Sequence, residues 1–282
     1  MNKILAFDVD ITLADNHSNI QPGVQSVFLD KRIHNCAVIF ATGNTLSTIQ
    51  RMRKNLNNLA QQNLPTRSYS AILGGSLIYD KNDQLIYEKH IKKQTLVDIM
   101  NASIQIDPKS FFLTMHQTRE VFLHITTDKI LQAVKAKLDH INMDKNEMEF
   151  DDQDYTSAIK NLEPVHELLI FSLKDLRKIF DAIEPIVSSA GYYCYFNQSH
   201  ISISAGSKLK ALKYIVKHMR AHNGYTKKLK DVVYFGNGQN DLDCLRACNT
   251  SIARGKDLEP EVIASSKIYA DDVTPYLDEI FR

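Results

Sequence analysis

Two aspartates separated by one residue, Asp8 and Asp10, follow directly on the apolar run Lys3 to Phe7. Carboxylates at that spacing take different roles when the backbone leaves the extended form and turns both toward one crevice. One attacks an electrophile while the other moves a proton. The plainer alternative is a pair of solvated acids at a strand end. An EF-hand calcium loop fits less well, since it calls for more oxygen donors and a glycine where this chain has Thr12 and Leu13.

Three further signals follow in chain order. Thr42, Gly43 and Asn44 close the apolar run Val38 to Ala41, and a hydroxyl with backbone N–H groups ahead of a helix suits an anion such as phosphate. The same residues also make ordinary turns and helix caps. Lys208 follows Gly206 and Ser207 at the start of an amphipathic stretch, where its ammonium neutralises a phosphoryl group or a carboxylate, or simply meets solvent. Gly236, Asn237, Gly238, Gln239, Asn240 and Asp241 follow the apolar run Val232 to Phe235. The glycines permit a tight bend, and Asn237, Asn240 and Asp241 offer hard oxygens for magnesium or amides for phosphate.

Positioning these groups is the task of the elements before them. Lys3 to Phe7, Cys36 to Ala41 and Val232 to Phe235 are short continuous apolar runs and read as buried parallel strands. Pro22 to Asp30, Leu46 to Leu59 and Lys208 to His222 carry apolar residues at helical spacing. Strand and helix alternate, which predicts an α/β fold whose ligand crevice lies beyond the carboxyl ends of the strands. Ala71 to Leu73 adds a strand, and Leu77 to Tyr79 with Leu85 to Tyr87 reads as a hairpin.

The middle of the chain has another pattern. Thr95 to Ile106, Ile130 to Ile141 and Leu176 to Val187 read as helices; Phe111 to Met115, Val121 to Ile125, Val165 to Leu173 and Tyr192 to Phe196 read as strands. The organisation expected is an α/β domain made of residues 1–83 and 196–282, interrupted by an α+β domain at 84–195. The acidic stretch Glu147 to Asp154 reads as a solvated loop rather than a metal cluster.

Composition narrows the field. Over 282 residues, 34 Lys and Arg against 33 Asp and Glu give a net charge of +1, which supplies no global field for nucleic acid or an anionic membrane. The apolar runs are far shorter than the roughly 20 residues of a membrane span. The first residues run into Asp8 without a signal-peptide cleavage site, and four scattered cysteines form no C-x-x-C pair. A cytoplasmic location with reduced thiols is the expectation. Cys36 reads as packed in its strand, and Cys244 and Cys248 share a helical face. His166 and Glu167 open H-E-L-L-I without a second histidine, and neither a P-loop nor a G-x-S-x-G elbow occurs.

Taken together, the four signals in this order, with the long insertion between the second and third, resemble a Cof-type phosphatase of the haloacid dehalogenase superfamily. Asp8, Asp10 and Thr12 stand at its D-x-D-x-T signature, Thr42 and Gly43 at the second motif, Lys208 at the third and Gly236 to Asp241 at the fourth. The resemblance implies a Rossmann-like parallel-sheet core with an inserted α+β cap. It also implies magnesium-dependent hydrolysis of a small phosphorylated metabolite, such as a phosphosugar or a phosphorylated cofactor. By that resemblance Asp8 is the nucleophile, Asp10 the acid and base, and Thr42, Gly43, Lys208 and Asn240 bind phosphate. Asp8, Asp10, Asn237 and Asp241 are the residues implied for magnesium.

The chain departs from the family pattern at Asn237, where the first acid of the fourth motif is usual, at Asn44, where arginine is frequent, and at Gly74, Gly75 and Ser76. An amide oxygen binds magnesium without adding charge, which keeps open a weak or inactive phosphometabolite-binding protein beside the enzyme. A sugar phosphotransferase or mutase is a third reading. The sequence assigns no oligomeric state.

Overall fold

The computed structural model describes residues 3–15, 19–60, 68–117, 120–123, 148–151, 159, 163–172, 174–197 and 199–282. The chain divides into two compact units, Met1–Glu88 with Ser207–Arg282, and Lys89–Gly206.

In the first unit the continuous apolar runs become strands covered on both faces. β1 (Lys3–Asp8), β2 (Cys36–Ala41) and β3 (Ser68–Ile72) lie parallel to β12 (Val232–Gly236), β13 (Thr250–Ala253) and β14 (Ile268–Tyr269). β4 (Leu77–Tyr79) and β5 (Leu85–Glu88) extend the sheet antiparallel, giving the order β14-β13-β12-β1-β2-β3-β4-β5. The central strands pair in register, Phe7 with Phe235 and Asp8 with Ala41, so the sites after β1, β2 and β12 emerge side by side at one sheet edge. Phe7 and Phe235 stack at 4.4 Å between ring centroids. Full burial of each such ring contributes about 1.5–3 kcal/mol, so a polar replacement there removes the support of the site above it.

In the second unit, β6 (Phe111–Met115), β7 (Glu120–Leu123), β8 (Met148–Asp151), β9 (Glu167–Phe171), β10 (Tyr193–Phe196) and β11 (Ile201–Ser204) form a sheet of order β10-β11-β9-β6-β7-β8. Its pairs are antiparallel except β7 with β8. The helices Lys93–Ile106 and Leu176–Ser189 bury Leu96, Ile99, Ile179 and Ile183 with Phe112, Leu168 and Ile170 of the sheet. An α/β core unit with a separate α+β unit is thus the observed architecture.

Several sequence expectations change. Leu85–Glu88 pairs with Leu77–Tyr79, so the second unit begins at Lys89 rather than at 84. Ile201–Ser204 pairs with β9 and β10, which keeps that unit going to Gly206 rather than 195. The acidic stretch is a strand at Met148–Asp151, with its flanks outside the described residues. The strand expected at Val121 to Ile125 is Glu120–Leu123, and the helix expected at Ile130 to Ile141 lies outside the described residues. In H-E-L-L-I, His166 precedes β9 and Glu167 opens it, both buried. Cys36 is buried as expected; Cys244 and Cys248, expected on one helical face, are buried too, Cys244 in the helix Leu242–Ala247 and Cys248 at its C-cap.

One close approach ties the loop after β3 to the third motif. Gly75 has φ 88°, and a Cβ there would lie 2.6 Å from the Ser207 carbonyl oxygen. Gly224, with φ 65°, has open space where a Cβ would go. Gly75→Ala therefore combines steric overlap with backbone strain, whereas Gly224→Ala has strain alone. Urea unfolding is expected to show a loss of about 1–3 kcal/mol or more for Gly75→Ala, and a smaller one for Gly224→Ala.

Candidate active site

β1 ends at Asp8, which is 4% exposed. Beyond it the chain turns: the Val9 carbonyl accepts from the backbone N–H groups of Leu13 and Ala14, both at 2.9 Å, and Ile11 takes φ 63°. This left-handed residue breaks the alternation of the strand and lets the carboxylates of Asp8 and Asp10 serve one crevice. The Asn44 side chain donates to Asp10 Oδ1 at 2.7 Å, and the Asn44 backbone N–H donates to the Thr42 hydroxyl at 3.0 Å. Gly43 lies between them. The turn after β2 thus holds Asp10 through an amide.

The helix Lys208–His222 is capped by Ser207, whose hydroxyl accepts from the Lys210 N–H. Lys208 is its first residue and 2% exposed, a place where the helix dipole disfavours a cation. Carboxylates offset that cost. Lys208 Nζ donates to Asp8 Oδ1 at 2.5 Å, to Asp241 Oδ1 at 2.8 Å and to Asn240 Oδ1 at 3.2 Å, which uses its three protons. Asp241 also accepts from the Tyr234 hydroxyl at 2.6 Å on Oδ1, and from the Asn237 and Gly238 N–H groups at 3.0 Å on Oδ2. A Cβ at Gly236 would lie 2.7 Å from the Asp241 side chain, so only glycine lets the fourth loop close this tightly.

Burial pushes the Asp8 carboxyl up to about 7, against the pull of Lys208 and with added repulsion from Asp241 and Asp10. Asp10 is raised as well: burial outweighs the hydrogen bonds from Asn44 and Thr42, although part of its surface meets solvent. For Lys208, burial alone would lower the pKa, and the attraction of Asp241 and Asp8 reverses the sign.

The sequence candidates therefore fall into two hydrogen-bonded groups. Asp8, Lys208, Asn240 and Asp241 form one; Asp10 and Thr42, with Asn44, form the other. Asn237 joins the first through its backbone, and its side chain bonds none of the described residues. Tyr234 and Arg254 escaped sequence reasoning. A tyrosine inside an apolar strand was the available signal for the first, since its buried hydroxyl needs a partner.

The donor chemistry suits a hard cation. Among the described residues no three His, Cys, Asp or Glu side chains are grouped to hold a metal ion. Asp8, Asp10 and the Asn237 amide are all oxygen donors, and Asp8 Oδ2 makes no hydrogen bond with the described residues. Asp241 has all four bonds directed to donors of the protein, which fits it for holding Lys208 and the fourth loop.

Residues 5–274 match the family of haloacid dehalogenase-like hydrolases, and the chain belongs to that family. It is similar in structure to a sugar phosphatase of haloacid dehalogenase subclass IIB, with 16% identity, TM-score 0.73 and 98% of each chain covered. A haloacid dehalogenase phosphatase from Bacteroides thetaiotaomicron gives 15% identity and TM-score 0.75, with 99% of this chain and 95% of that chain covered. A haloacid dehalogenase-like hydrolase from B. subtilis gives 14% identity and TM-score 0.75, with 99% of both chains covered. Comparison with curated proteins gives no match. Among the described residues no helix is long and apolar enough to cross a membrane.

Removing the ammonium tests the first group. Lys208→Met leaves Asp8 and Asp241 buried without their cation and is expected to cost about 3–5 kcal/mol in urea unfolding at pH 8. Without Lys208 the buried Asp8 carboxyl binds a proton more readily when folded than unfolded, so the loss shrinks as pH falls toward 5. A loss that is the same at both pH values contradicts this account.

Proposed function

We propose that the chain is a magnesium-dependent phosphatase acting on a small organic phosphomonoester, with an aspartyl-phosphate intermediate at Asp8. The observation that carries this reading is Asp8 itself: one carboxylate oxygen is held by buried Lys208, and the other has no hydrogen bond to the described residues. Asp8 Oδ2 attacks phosphorus, and the bond from phosphorus to the ester oxygen breaks. Asp10 gives its proton to the departing oxygen. It then takes a proton from the water that attacks the aspartyl phosphate, releasing inorganic phosphate and restoring Asp8.

Thr42, the Gly43 backbone and the Asn240 amide N–H groups bind the phosphoryl oxygens, and Lys208 joins them by exchanging its bond to Asn240 Oδ1 for one to the phosphoryl group. The raised pKa of Asp10 suits a group that begins as an acid, and Asn44 keeps its carboxyl aimed. Asp8, Asp10 and Asn237 would hold magnesium, whose positive charge would offset repulsion between the nucleophile and an anionic substrate. In this reading Asp241 supports the metal site by holding Lys208 and the fourth loop. The structural relative named as a sugar phosphatase favours a phosphosugar as substrate. Four unpaired cysteines accord with a reducing compartment such as the cytoplasm.

Asp8→Asn is expected to lower magnesium-dependent hydrolysis of an aryl phosphate by about a thousandfold or more, with the circular dichroism spectrum unchanged. Turnover at the wild-type rate in this variant refutes the assignment.

Asn237 favours a second reading, a phosphometabolite-binding protein with little turnover. The variant Asn237→Asp separates the two. For an enzyme, it lowers the half-saturating magnesium concentration about tenfold and moves kcat only about threefold. For a binding protein, it raises turnover from near zero.

A further inference from the structure

Ile11 holds the turn between Asp10 and Thr12 in the left-handed region, φ 63°, a conformation that a β-branched residue strongly disfavours. Packing does not impose it, because Ile11 is 54% exposed. Backbone bonds within the turn, from the Ile11 N–H to the Ala14 carbonyl at 2.8 Å and from the Leu13 and Ala14 N–H groups to the Val9 carbonyl, share the restraint with a side chain on the other side of the backbone. Arg254, 3% exposed, follows β13, and its Nη1 donates to the Ile11 carbonyl at 2.6 Å and to the Thr12 carbonyl at 3.0 Å. Two successive carbonyls converge on one nitrogen only if the turn is bent as it is here.

The guanidinium is itself fixed. Its Nε donates to the Asp271 carbonyl at 3.1 Å, its Nη2 lies 3.5 Å from Asp271 Oδ1, and the Arg254 backbone N–H donates to the Gly236 carbonyl at 2.9 Å. The residue that grips the first motif is therefore anchored to the strand that carries the fourth.

We infer that Arg254 is a positioning residue for catalysis: its guanidinium holds the Ile11–Thr12 turn in a conformation that its own sequence resists, and so sets Asp10 beside Asp8. The inference rests on the phosphatase reading for its kinetic consequence and not for its structural one. With the guanidinium gone, Ile11 relaxes and Asp10 loses its aim. Replacing Ile11 with glycine removes the resistance, since glycine enters the left-handed region freely.

The experiment compares wild type, Arg254→Met, Ile11→Gly and the double variant, using aryl phosphate hydrolysis with magnesium and hydrogen–deuterium exchange of the segment 9–14. Arg254→Met is expected to lower kcat about tenfold or more with KM within about threefold, and to speed exchange in that segment. Ile11→Gly alone stays within about twofold, and the double variant recovers much of the lost kcat, a non-additivity that reports direct coupling. Arg254→Lys, which keeps a cationic donor nitrogen without the planar fork, falls between wild type and Arg254→Met, and substitutes for it if that variant fails to fold. Unchanged exchange and kcat in the Arg254 variants overturn the inference, as does a loss of kcat that Ile11→Gly leaves unrepaired. If wild type itself shows no turnover, the phosphatase reading fails, and exchange alone decides whether Arg254 clamps the turn.

Discussion

A single ammonium, Lys208 Nζ, has all three of its protons given to oxygens from two other segments of the chain, Asp8 from the first strand and Asn240 with Asp241 from the fourth loop. Asp8 and Lys208 are 200 residues apart in sequence. The contact forms only when β1 and β12 lie side by side and the helix Lys208–His222 starts at their carboxyl ends. A displaced strand or a shifted helix would strand a charge in a site with 2% exposure, at a cost of several kcal/mol. The arrangement therefore specifies the register of the core unit as well as its chemistry.

Around that ammonium, each neighbour has a constraint of its own. Tyr234 and two backbone N–H groups satisfy the rest of Asp241, so the acid that anchors Lys208 has no unmet need of its own. Gly236 leaves space for Asp241, and Gly75 leaves space for Ser207 beside Lys208. These contacts explain why the loops can be tight: the backbone approaches what a side chain would otherwise fill. Among the described residues Asp8 is thereby held through one carboxylate oxygen, a geometry that restrains the carboxylate without using its second oxygen.

Much of this was legible in the chain. Continuous apolar runs ending in Asp8, Thr42 and Gly236 announced buried parallel strands with polar residues at one edge, because a strand covered on both faces shows no alternation. Lys208 was recognisable only through its company, since a lysine at a helix start looks the same whether solvated or buried. Arg254 gave no signal: the carbonyls it holds lie about 240 positions earlier in the chain, and no local pattern encodes such a partner. The expected end of the inserted domain at 195 falls short because Ile201 and Ile203, alternating with serines, form a strand of the second unit and pack both isoleucines into its core. The acidic run misled in the same way, its charge masking the strand Met148–Asp151.

Asn237 has a meaning beyond affinity for a cation. Asp8, Asp10 and Asp241 already share one ammonium, Lys208 Nζ, and Asn237 adds an amide where an aspartate would add a fourth carboxyl group. In the phosphatase reading the substrate is itself an anion, so a further carboxylate would strengthen the hold on a divalent cation and oppose the approach of the phosphate. On that reading Asn237 would trade attraction for the cation against repulsion of the phosphate, a trade that favours turnover where magnesium is plentiful and substrate scarce.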